Sequence, residues 1–366
     1  MKIAVVAGAR PNFMKVAPLV EALKNCQAGR PDLEILLVHT GQHYDEQMSR
    51  AFFNDLGLPR PDVDLGVGSG THAEQTGRVM IAFEALLLER KPDWVVVVGD
   101  VNSTVACALA AKKLGIKVAH VEAGLRSRDW TMPEEVNRVV TDVICDALFT
   151  TDPMASDNLK AEGVDPARIH FVGNVMIDTL LKHRESAAAL RQWEHLGLEP
   201  YRYGVLTLHP PSNVDQPEVF AQIVGALEVI QHELALAFPV HPRTRRMAEN
   251  AGLWARLEAM RNLRLLAPLG YLEMLSLAGQ AAMILTDSGG LQEEAVVLGV
   301  PCITLRPNTE RPITIAVGAN QLVGNDPDAI IAAVRARLVE GRNSFRRPEK
   351  WDGLAARRIA EILLNG

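Results

Sequence analysis

Much of what narrows the function of this 366-residue chain is what the sequence lacks. No apolar run approaches the roughly 18 residues of a membrane-spanning helix, and the apolar start Lys2–Ala7 is too short for a signal peptide. The net charge is −6 and no Lys/Arg run is present, so no nucleic-acid groove is indicated. The four cysteines show neither CxxC nor Cys/His metal spacing, which favours reduced thiols in a cytosolic enzyme.

The motifs of several common enzyme classes are also missing. The first predicted strand is followed by Gly8-Ala9-Arg10-Pro11-Asn12 rather than GxGxxG, so the dinucleotide fingerprint is absent there. No HExxH and no Ser/His/Asp order appears, so neither common kind of hydrolase is indicated.

What the sequence does contain is a regular alternation of apolar, strand-like runs and helical stretches through both halves. At roughly 150 residues per domain, the length suggests two domains. The alternation predicts an α/β fold of two doubly wound Rossmann-like domains, each with a parallel sheet covered on both faces. We expect domains at residues 1–173 and 174–353, and the helix of residues 354–366 could pack back on the first. Two such domains facing a cleft would bind ligands at the carboxyl ends of their strands.

The stretch Leu285–Glu294 is the centre of this interpretation. An apolar strand is followed by Ser288-Gly289-Gly290 and then by a helix. This arrangement predicts a phosphate-binding site, because glycines let an anion approach the unpaired N–H groups of the first helical turn. One turn further in, Glu293 and Glu294 would suit sugar hydroxyls such as those of a ribose. Spacing alone leaves an ordinary helix after a core strand equally open.

Three carboxylates are predicted at the edge of the first sheet. Asp100 and Glu122 end apolar strands, and Glu134 begins a helix after Pro133. Crowded carboxylates raise at least one pKa, which suits general acid–base chemistry. It is also possible from the sequence that Asp100 caps the following helix and that Glu134 is an ordinary first-turn residue.

Further polar residues follow other strands. His209 and His241 end the first two strands of the second half, and this repeated placement is typical of site residues rather than core histidines. In the first half, Arg10 in the glycine turn and Lys15 beyond it suit an anionic ligand, although an ordinary strand–helix turn is equally compatible.

Taken together, these residues resemble the non-hydrolysing UDP-N-acetylglucosamine 2-epimerases over essentially the full length. The combination and order of the blocks are far more specific than any single block. The matching blocks are Gly8-Ala9-Arg10-Pro11 with Lys15, Thr40-Gly41-Gln42-His43, Gly99-Asp100, His120–Arg126, Pro133–Arg138, Gly173-Asn174, Asp287–Glu294 and Thr309-Glu310-Arg311-Pro312.

The resemblance implies a GT-B-like fold, a homodimer, and no metal or redox cofactor. It implies reversible epimerisation of UDP-GlcNAc to UDP-ManNAc, a precursor of bacterial surface polysaccharides, by elimination of UDP to 2-acetamidoglucal and its re-addition. The resemblance implies that the catalytic residues are Asp100, Glu122, Glu134 and His209. It implies that the substrate is bound by Arg10, Lys15, Arg138, His241 and Arg311, with Ser288, Gly289 and Gly290 contacting the diphosphate and Glu294 contacting the ribose. It also implies a candidate activator site at Gln42 and His43.

One departure from the family pattern affects this expectation. Relatives usually carry arginine directly after the catalytic histidine, where it helps to bind an activating second UDP-GlcNAc, and this chain has Pro210. Loss of that arginine would also fit a hydrolysing 2-epimerase that releases ManNAc and UDP. A GT-B glycosyltransferase and a nucleotide-sugar-binding regulator are two further possibilities, although neither requires the carboxylate cluster.

Overall fold

The computed structural model describes residues 1–41, 56–209, 211–342 and 345–365, with backbone alone at residues 10, 11, 211 and 212. The chain divides into two compact units: unit 1 is Met1–Lys182 with Glu349–Gly366, and unit 2 is His183–Pro348. The domain limits expected at residues 173 and 353 both fall inside unit 1. Among the described residues, no helix has the length and apolarity needed to cross a membrane.

Unit 1 is built on a parallel sheet in the order β3-β2-β1-β4-β5-β6-β7. Its strands are β1 (Lys2–Ala7), β2 (Glu34–His39), β3 (Val63–Asp64), β4 (Trp94–Val98), β5 (Lys117–Ala123), β6 (Ala147–Thr150) and β7 (Ile169–Phe171). Its helices are α1 (Arg10–Gln27), α2 (His72–Arg90), α3 (Asn102–Lys113), α4 (Pro133–Ile144), α5 (Pro153–Ala161), α6 (Val175–Ala189), which continues into unit 2, and the C-terminal α16 (Ala355–Asn365).

Local sequence explains where several of these helices begin. Thr71 and Glu74 form a capping box at the start of α2, and the Asp152 side chain accepts from the Ala155 N–H at the start of α5. At the start of α16, the Asp178 carboxylate accepts from the first backbone N–H groups of that helix. This contact and the packing of α16 on α1 join the C-terminal segment to unit 1.

Unit 2 carries a second parallel sheet, in the order β10-β9-β8-β11-β12-β13. Its strands are β8 (Tyr203–Thr207), β9 (Ala235–Pro239), β10 (Leu263–Leu266), β11 (Met283–Thr286), β12 (Cys302–Thr304) and β13 (Asn320–Leu322). Its helices are α7 (Gln192–His195), α8 (Pro211–Val214), α9 (Pro217–Ile230), α10 (Pro242–Asn250), α11 (Trp254–Ala259), α12 (Tyr271–Gly279), α13 (Gly289–Leu298), α14 (Pro312–Ala316) and α15 (Pro327–Glu340).

The predicted α/β architecture of two doubly wound sheets is confirmed. Both sheets reverse their strand order beside the first strand, between β1 and β4 and between β8 and β11, which is where open α/β sheets bind ligands. The edge strands β3, β7 and β13 were not predicted from the sequence, and they are only two or three residues long. Such short strands carry too few residues to show a periodic pattern.

Candidate active site

The most constrained carboxylate of unit 1 is Glu122. Its backbone has a φ of +73°, a strained conformation for a residue other than glycine, at a register irregularity between β5 and β6. Its side chain is 2% exposed, and Lys15 Nζ donates to its Oε2 atom. Its Oε1 atom is buried and has no hydrogen-bond partner among the described residues. The fold therefore fixes a carboxylate with one oxygen still able to accept a proton or a hydrogen bond.

A glycine turn places the end of β4 against this pair. Gly99 has a φ of +69°, and a Cβ atom there would lie 3.2 Å from Lys15 Nζ and 3.5 Å from Glu122 Oε2. Any side chain would crowd the ion pair and strain the turn. Glycine at this position therefore brings Asp100, the next residue, to the neighbourhood of Glu122.

Asp100 is held by an arginine of α4. Arg138 Nη1 donates to Asp100 Oδ2 at 2.5 Å, and Arg138 Nη2 donates to Glu135 Oε2 at 2.8 Å. The arginine is 2% exposed, whereas the Asp100 side chain is 26% exposed. The N-cap residue of α3 is Val101 rather than Asp100, and the carboxylate of Asp100 is held by Arg138 instead.

Glu135 is a site-supporting residue that the sequence analysis missed. Its carboxylate accepts from the backbone N–H groups of Ser127 and Arg128, both at 2.9 Å, as well as from Arg138. Burial would raise the pKa of Glu135, but these hydrogen bonds and the arginine charge outweigh it and hold the pKa below its usual value. The i,i+3 spacing of Glu135 and Arg138 was the signal that could have identified this pair.

Glu134 occupies the first turn of α4, as the sequence predicted, but its side chain is exposed. Asp100 and Glu122 each pair with a cation instead of crowding together with Glu134. Helix geometry buries the neighbouring Glu135 and leaves the Glu134 side chain exposed, and the grouping of Glu134 with Asp100 and Glu122 stays a prediction.

In unit 2, a buried aspartate joins the ends of β8 and β11. Asp287 accepts from the His209 backbone N–H at 3.1 Å and from Asn213 Nδ2 at 3.0 Å. Burial raises the pKa of Asp287 to about 7, although these hydrogen bonds oppose the shift. The centroid of the exposed His209 ring lies 4.2 Å from that of His241, whose Nδ1 accepts from the Arg243 N–H at 3.1 Å. The structure therefore brings the two predicted histidines into contact.

The stretch predicted as a phosphate cradle forms the end of β11 and the start of α13. Ser288 is the exposed N-cap residue, and its side chain makes no capping hydrogen bond to the first turn of the helix, which begins with Gly289 and Gly290. A Cβ atom on Gly289 would overlap the side chains of Glu310 and Arg311. A larger residue at this position would therefore displace these two paired side chains.

Arg311 lies in a buried cluster of charges behind this turn. It pairs with Glu310, and its Nε atom lies 3.1 Å from Glu293 Oε2. Arg306 Nη2 lies 3.1 Å from Glu310 Oε2, and each of these four side chains is at most 8% exposed. The cluster links the Thr309–Pro312 block to α13, so the two blocks that are separate in the sequence form one substructure.

Glu294 is the other carboxylate of α13 with an unmet hydrogen bond. Burial raises its pKa to about 7, while the nearby Tyr271 hydroxyl opposes the shift and the Glu293 charge adds to it. Apart from this mutual interaction, neither Glu294 Oε1 nor the buried Tyr271 hydroxyl has a hydrogen-bond partner among the described residues. A carboxylate and a hydroxyl in this state fit a ligand that donates and accepts hydrogen bonds, such as a ribose diol.

Several predicted site residues lie outside the part of the chain that the structure describes. They are Gln42, His43 and Pro210, together with the Arg10 side chain. Among the residues that are described, no group of three or more His, Cys, Asp or Glu side chains has an arrangement suited to a metal ion.

Comparison with known proteins identifies relatives over the whole chain. The family model described as UDP-N-acetylglucosamine 2-epimerase matches residues 25–364. The UDP-N-acetylglucosamine 2-epimerase of Methanocaldococcus jannaschii is 44% identical over 371 residues, covering all of both chains. The UDP-2,3-diacetamido-2,3-dideoxy-D-glucuronate 2-epimerase of Pseudomonas aeruginosa is 42% identical over 368 residues, 99% of each chain.

Solved structures agree with these sequence matches. The crystal structure of the M. jannaschii UDP-GlcNAc 2-epimerase in complex with UDP-GlcNAc and UDP superposes with a TM-score of 0.93, at 43% identity and full coverage of both chains. A sucrose-phosphate synthase from Thermosynechococcus elongatus superposes with a TM-score of 0.61 at 13% identity, covering 99% of this chain and 94% of its own, and shares the fold alone.

Proposed function

Because the chain belongs to the UDP-N-acetylglucosamine 2-epimerase family, we propose that it interconverts UDP-GlcNAc and UDP-ManNAc. The observation that carries the proposal is the fixed Glu122 carboxylate, with one oxygen paired to Lys15 and the other unpartnered among the described residues. Strained backbone conformations cluster at active sites, and a positioned carboxylate is a common general acid or base.

The chemistry explains why more than one polar group is needed. The C-2 proton is not adjacent to a carbonyl, so it is lost together with the C-1–oxygen bond, whose electrons leave with UDP. The product is 2-acetamidoglucal, and re-addition of UDP with a proton on the opposite face of C-2 gives the other epimer. We propose that Asp100, Glu122, Glu134 and His209 supply the proton transfers.

We propose that unit 2 holds UDP. The start of α13 offers uncapped N–H groups at Gly289 and Gly290 for the diphosphate, and the Ser288 hydroxyl adds a donor. The buried Glu294 carboxylate and the Tyr271 hydroxyl, which interact with each other, fit the ribose hydroxyls. Hydrogen bonds from N–H groups also stabilise the charge that develops on the departing diphosphate.

The cations predicted to bind substrate have partners in the structure. Lys15 pairs with Glu122, Arg138 with Asp100 and Glu135, and Arg311 with Glu310. We propose that Lys15 and Arg138 act on the substrate through the carboxylates they hold as well as by their own charge. Arg10 and His241 remain proposed substrate contacts, and Gln42 and His43 remain a proposed activator site.

A second candidate substrate is UDP-2,3-diacetamido-2,3-dideoxy-D-glucuronate. The P. aeruginosa enzyme that is named for this substrate is nearly as similar to the chain as the M. jannaschii enzyme named for UDP-GlcNAc, at 42% and 44% identity. Both substrates share the UDP group and the 2-acetamido carbon that is inverted, so the site chemistry is the same for either.

The deciding experiment is incubation with each UDP-sugar in D₂O, followed by proton NMR of the products. We expect the 2-epimer of one or both UDP-sugars, with deuterium at C-2. Free ManNAc and UDP would instead indicate a hydrolysing enzyme, and transfer only to an added acceptor would indicate a glycosyltransferase. An epimer that retains protium at C-2 would exclude proton exchange at that carbon and contradict the elimination route.

We also propose that the chain forms a homodimer through α4. This helix turns Arg138 and Asp142 inward, while Val136, Val140 and Val143 are 41%, 39% and 63% exposed. An apolar stripe on the outer face of a helix is unfavourable in water and is typical of an interaction surface. A second copy of the chain is the occupant we propose, because the stripe is uncharged and can pair with its own copy across a two-fold axis.

A further inference from the structure

His120 is a buried residue for which the proposed reaction has assigned no role. It lies on β5, two residues before Glu122, and is 0% exposed. Its Nε2 atom lies 2.8 Å from the Gly99 carbonyl oxygen, and its Nδ1 atom lies 2.7 Å from Asp142 Oδ1 on α4. The ring therefore connects β4, β5 and α4 directly beneath the two strand ends that carry Asp100 and Glu122.

The partners of the ring are two hydrogen-bond acceptors. The Gly99 carbonyl can only accept a hydrogen bond, so Nε2 must donate to it. Burial would raise the pKa of Asp142, but its contacts with His120 and Arg126 outweigh burial and hold the pKa below its usual value. The His120 ring and the Asp142 carboxylate therefore form a buried hydrogen-bonded pair.

Asp142 extends these contacts to the other side of Glu122. Its Oδ2 atom accepts from the Gly124 backbone N–H at 3.0 Å and from Arg126 Nη1 at 2.7 Å. Arg126 is held in turn by Glu162, at 2.6 Å and 2.8 Å. The His120–Asp142 pair thus contacts Gly99, the residue before Asp100, and Gly124, two residues after Glu122.

We propose that His120 and Asp142 form a hydrogen-bonded pair that positions the Asp100 and Glu122 carboxylates for proton transfer. This role rests on the proposed function, and both residues are positioning residues because neither is placed against the substrate. Loss of the pair would remove one hydrogen bond from each of the Gly99 and Gly124 peptides, and a carboxylate misplaced by about 1 Å can cost about a hundredfold in rate. UDP binding, proposed for unit 2, would be unaffected.

The test compares His120→Gln, Asp142→Asn and the double variant with His170→Gln. His170 is a partly buried histidine of β7 that contacts the Phe149 ring rather than a strand end bearing a catalytic carboxylate, so it controls for loss of a sheet histidine. Turnover of UDP-GlcNAc is expressed per UDP-binding site, counted by calorimetry, so that partial unfolding does not lower the apparent kcat. The hydrogen bond from His120 Nε2 to the Gly99 carbonyl is read separately by ¹⁵N NMR of histidine-labelled wild-type protein.

We expect kcat to fall about tenfold to a hundredfold in each single variant, with KM and UDP affinity within about threefold of wild type. The double variant should lose little more than the worse single variant, because the two residues act as one unit. In wild-type protein His120 Nε2 should carry a proton, because it must donate to the Gly99 carbonyl. A ring without a proton on Nε2, additive losses, or a kcat per site like that of His170→Gln would each overturn the proposal. Wild-type protein that turns over no UDP-sugar would refute the proposed function instead, and the NMR result would still decide whether His120 donates to Gly99.

Discussion

Replacing Glu294 by glutamine should stabilise unit 2 while weakening UDP binding. Burial raises the pKa of Glu294 from an ordinary 4.5 to about 7, so above pH 7 the folded protein holds an ionised carboxylate that burial disfavours. Glutamine keeps the shape of the side chain and never ionises. The variant therefore removes a cost that the wild-type protein bears in the absence of ligand, which is the trade-off expected of a binding residue.

The sign and size follow from the two pKa values. Between pH 4.5 and 7 the folded wild-type protein binds a proton that the unfolded chain releases, so its free energy of unfolding falls as pH rises through this window. The change from 4.5 to about 7 corresponds to roughly 3 kcal/mol at about 1.4 kcal/mol per pKa unit. The variant lacks this titration. The pH dependence that Asp287 contributes cancels when the two proteins are compared, because both contain it. The stability of the variant relative to wild type should therefore increase from pH 5 to pH 8 and then level off.

Native-state hydrogen exchange of β11 and α13, measured by mass spectrometry without nucleotide, reports the stability of this part of unit 2. Comparing the two proteins at the same pH cancels the intrinsic pH dependence of exchange. Glu218→Gln, an exposed first-turn residue of α9, is the matched control and should show a difference that is small at every pH. A difference for Glu294→Gln that is flat with pH, or that decreases as pH rises, would refute the argument.

The same variant should bind UDP roughly tenfold or more weakly above pH 7, because hydrogen bonds to a charged acceptor contribute about 1.5–3 kcal/mol. Calorimetric titration with UDP at pH 8 measures this loss. Unchanged UDP affinity would remove Glu294 from the proposed ribose contact, even if the stability prediction holds.

Further variants and one kinetic experiment test other parts of the proposal. Asp100→Asn and Glu122→Gln should each lower kcat about a hundredfold, as expected for a lost acid–base group, and wild-type turnover in either would remove that residue from the catalytic group. Gly289→Ala should weaken UDP binding in calorimetry, because its Cβ atom displaces Arg311, and unchanged affinity would contradict the cradle. Val140→Asp should convert a dimer to monomer in light scattering, whereas a monomeric wild type would refute the α4 interface. Pro210 lacks the charge and the backbone N–H of the arginine that relatives usually carry, so UDP-ManNAc should react without an initial lag. A lag that trace UDP-GlcNAc abolishes would contradict this prediction.

The sequence predicted the sheets well because buried parallel strands are continuous apolar runs, as Trp94–Val98 shows. It also identified the strand ends that carry Asp100 and Glu122. It could not predict which charges pair, because an ion pair such as Lys15–Glu122 joins residues 107 positions apart through the sheet topology. Nor did it show that Glu135 rather than Glu134 faces inward, which depends on the rotation of α4 about its axis.

Each carboxylate that we propose as catalytic pairs with its own cation, Glu122 with Lys15 and Asp100 with Arg138. The two carboxylates follow adjacent strands, β4 and β5, and each negative charge is compensated separately. A reversible 2-epimerase must remove the C-2 proton from opposite faces of the sugar in its two directions. Under the proposed function, two separate ion pairs let the fold direct one carboxylate to each face, which a single shared cation would not.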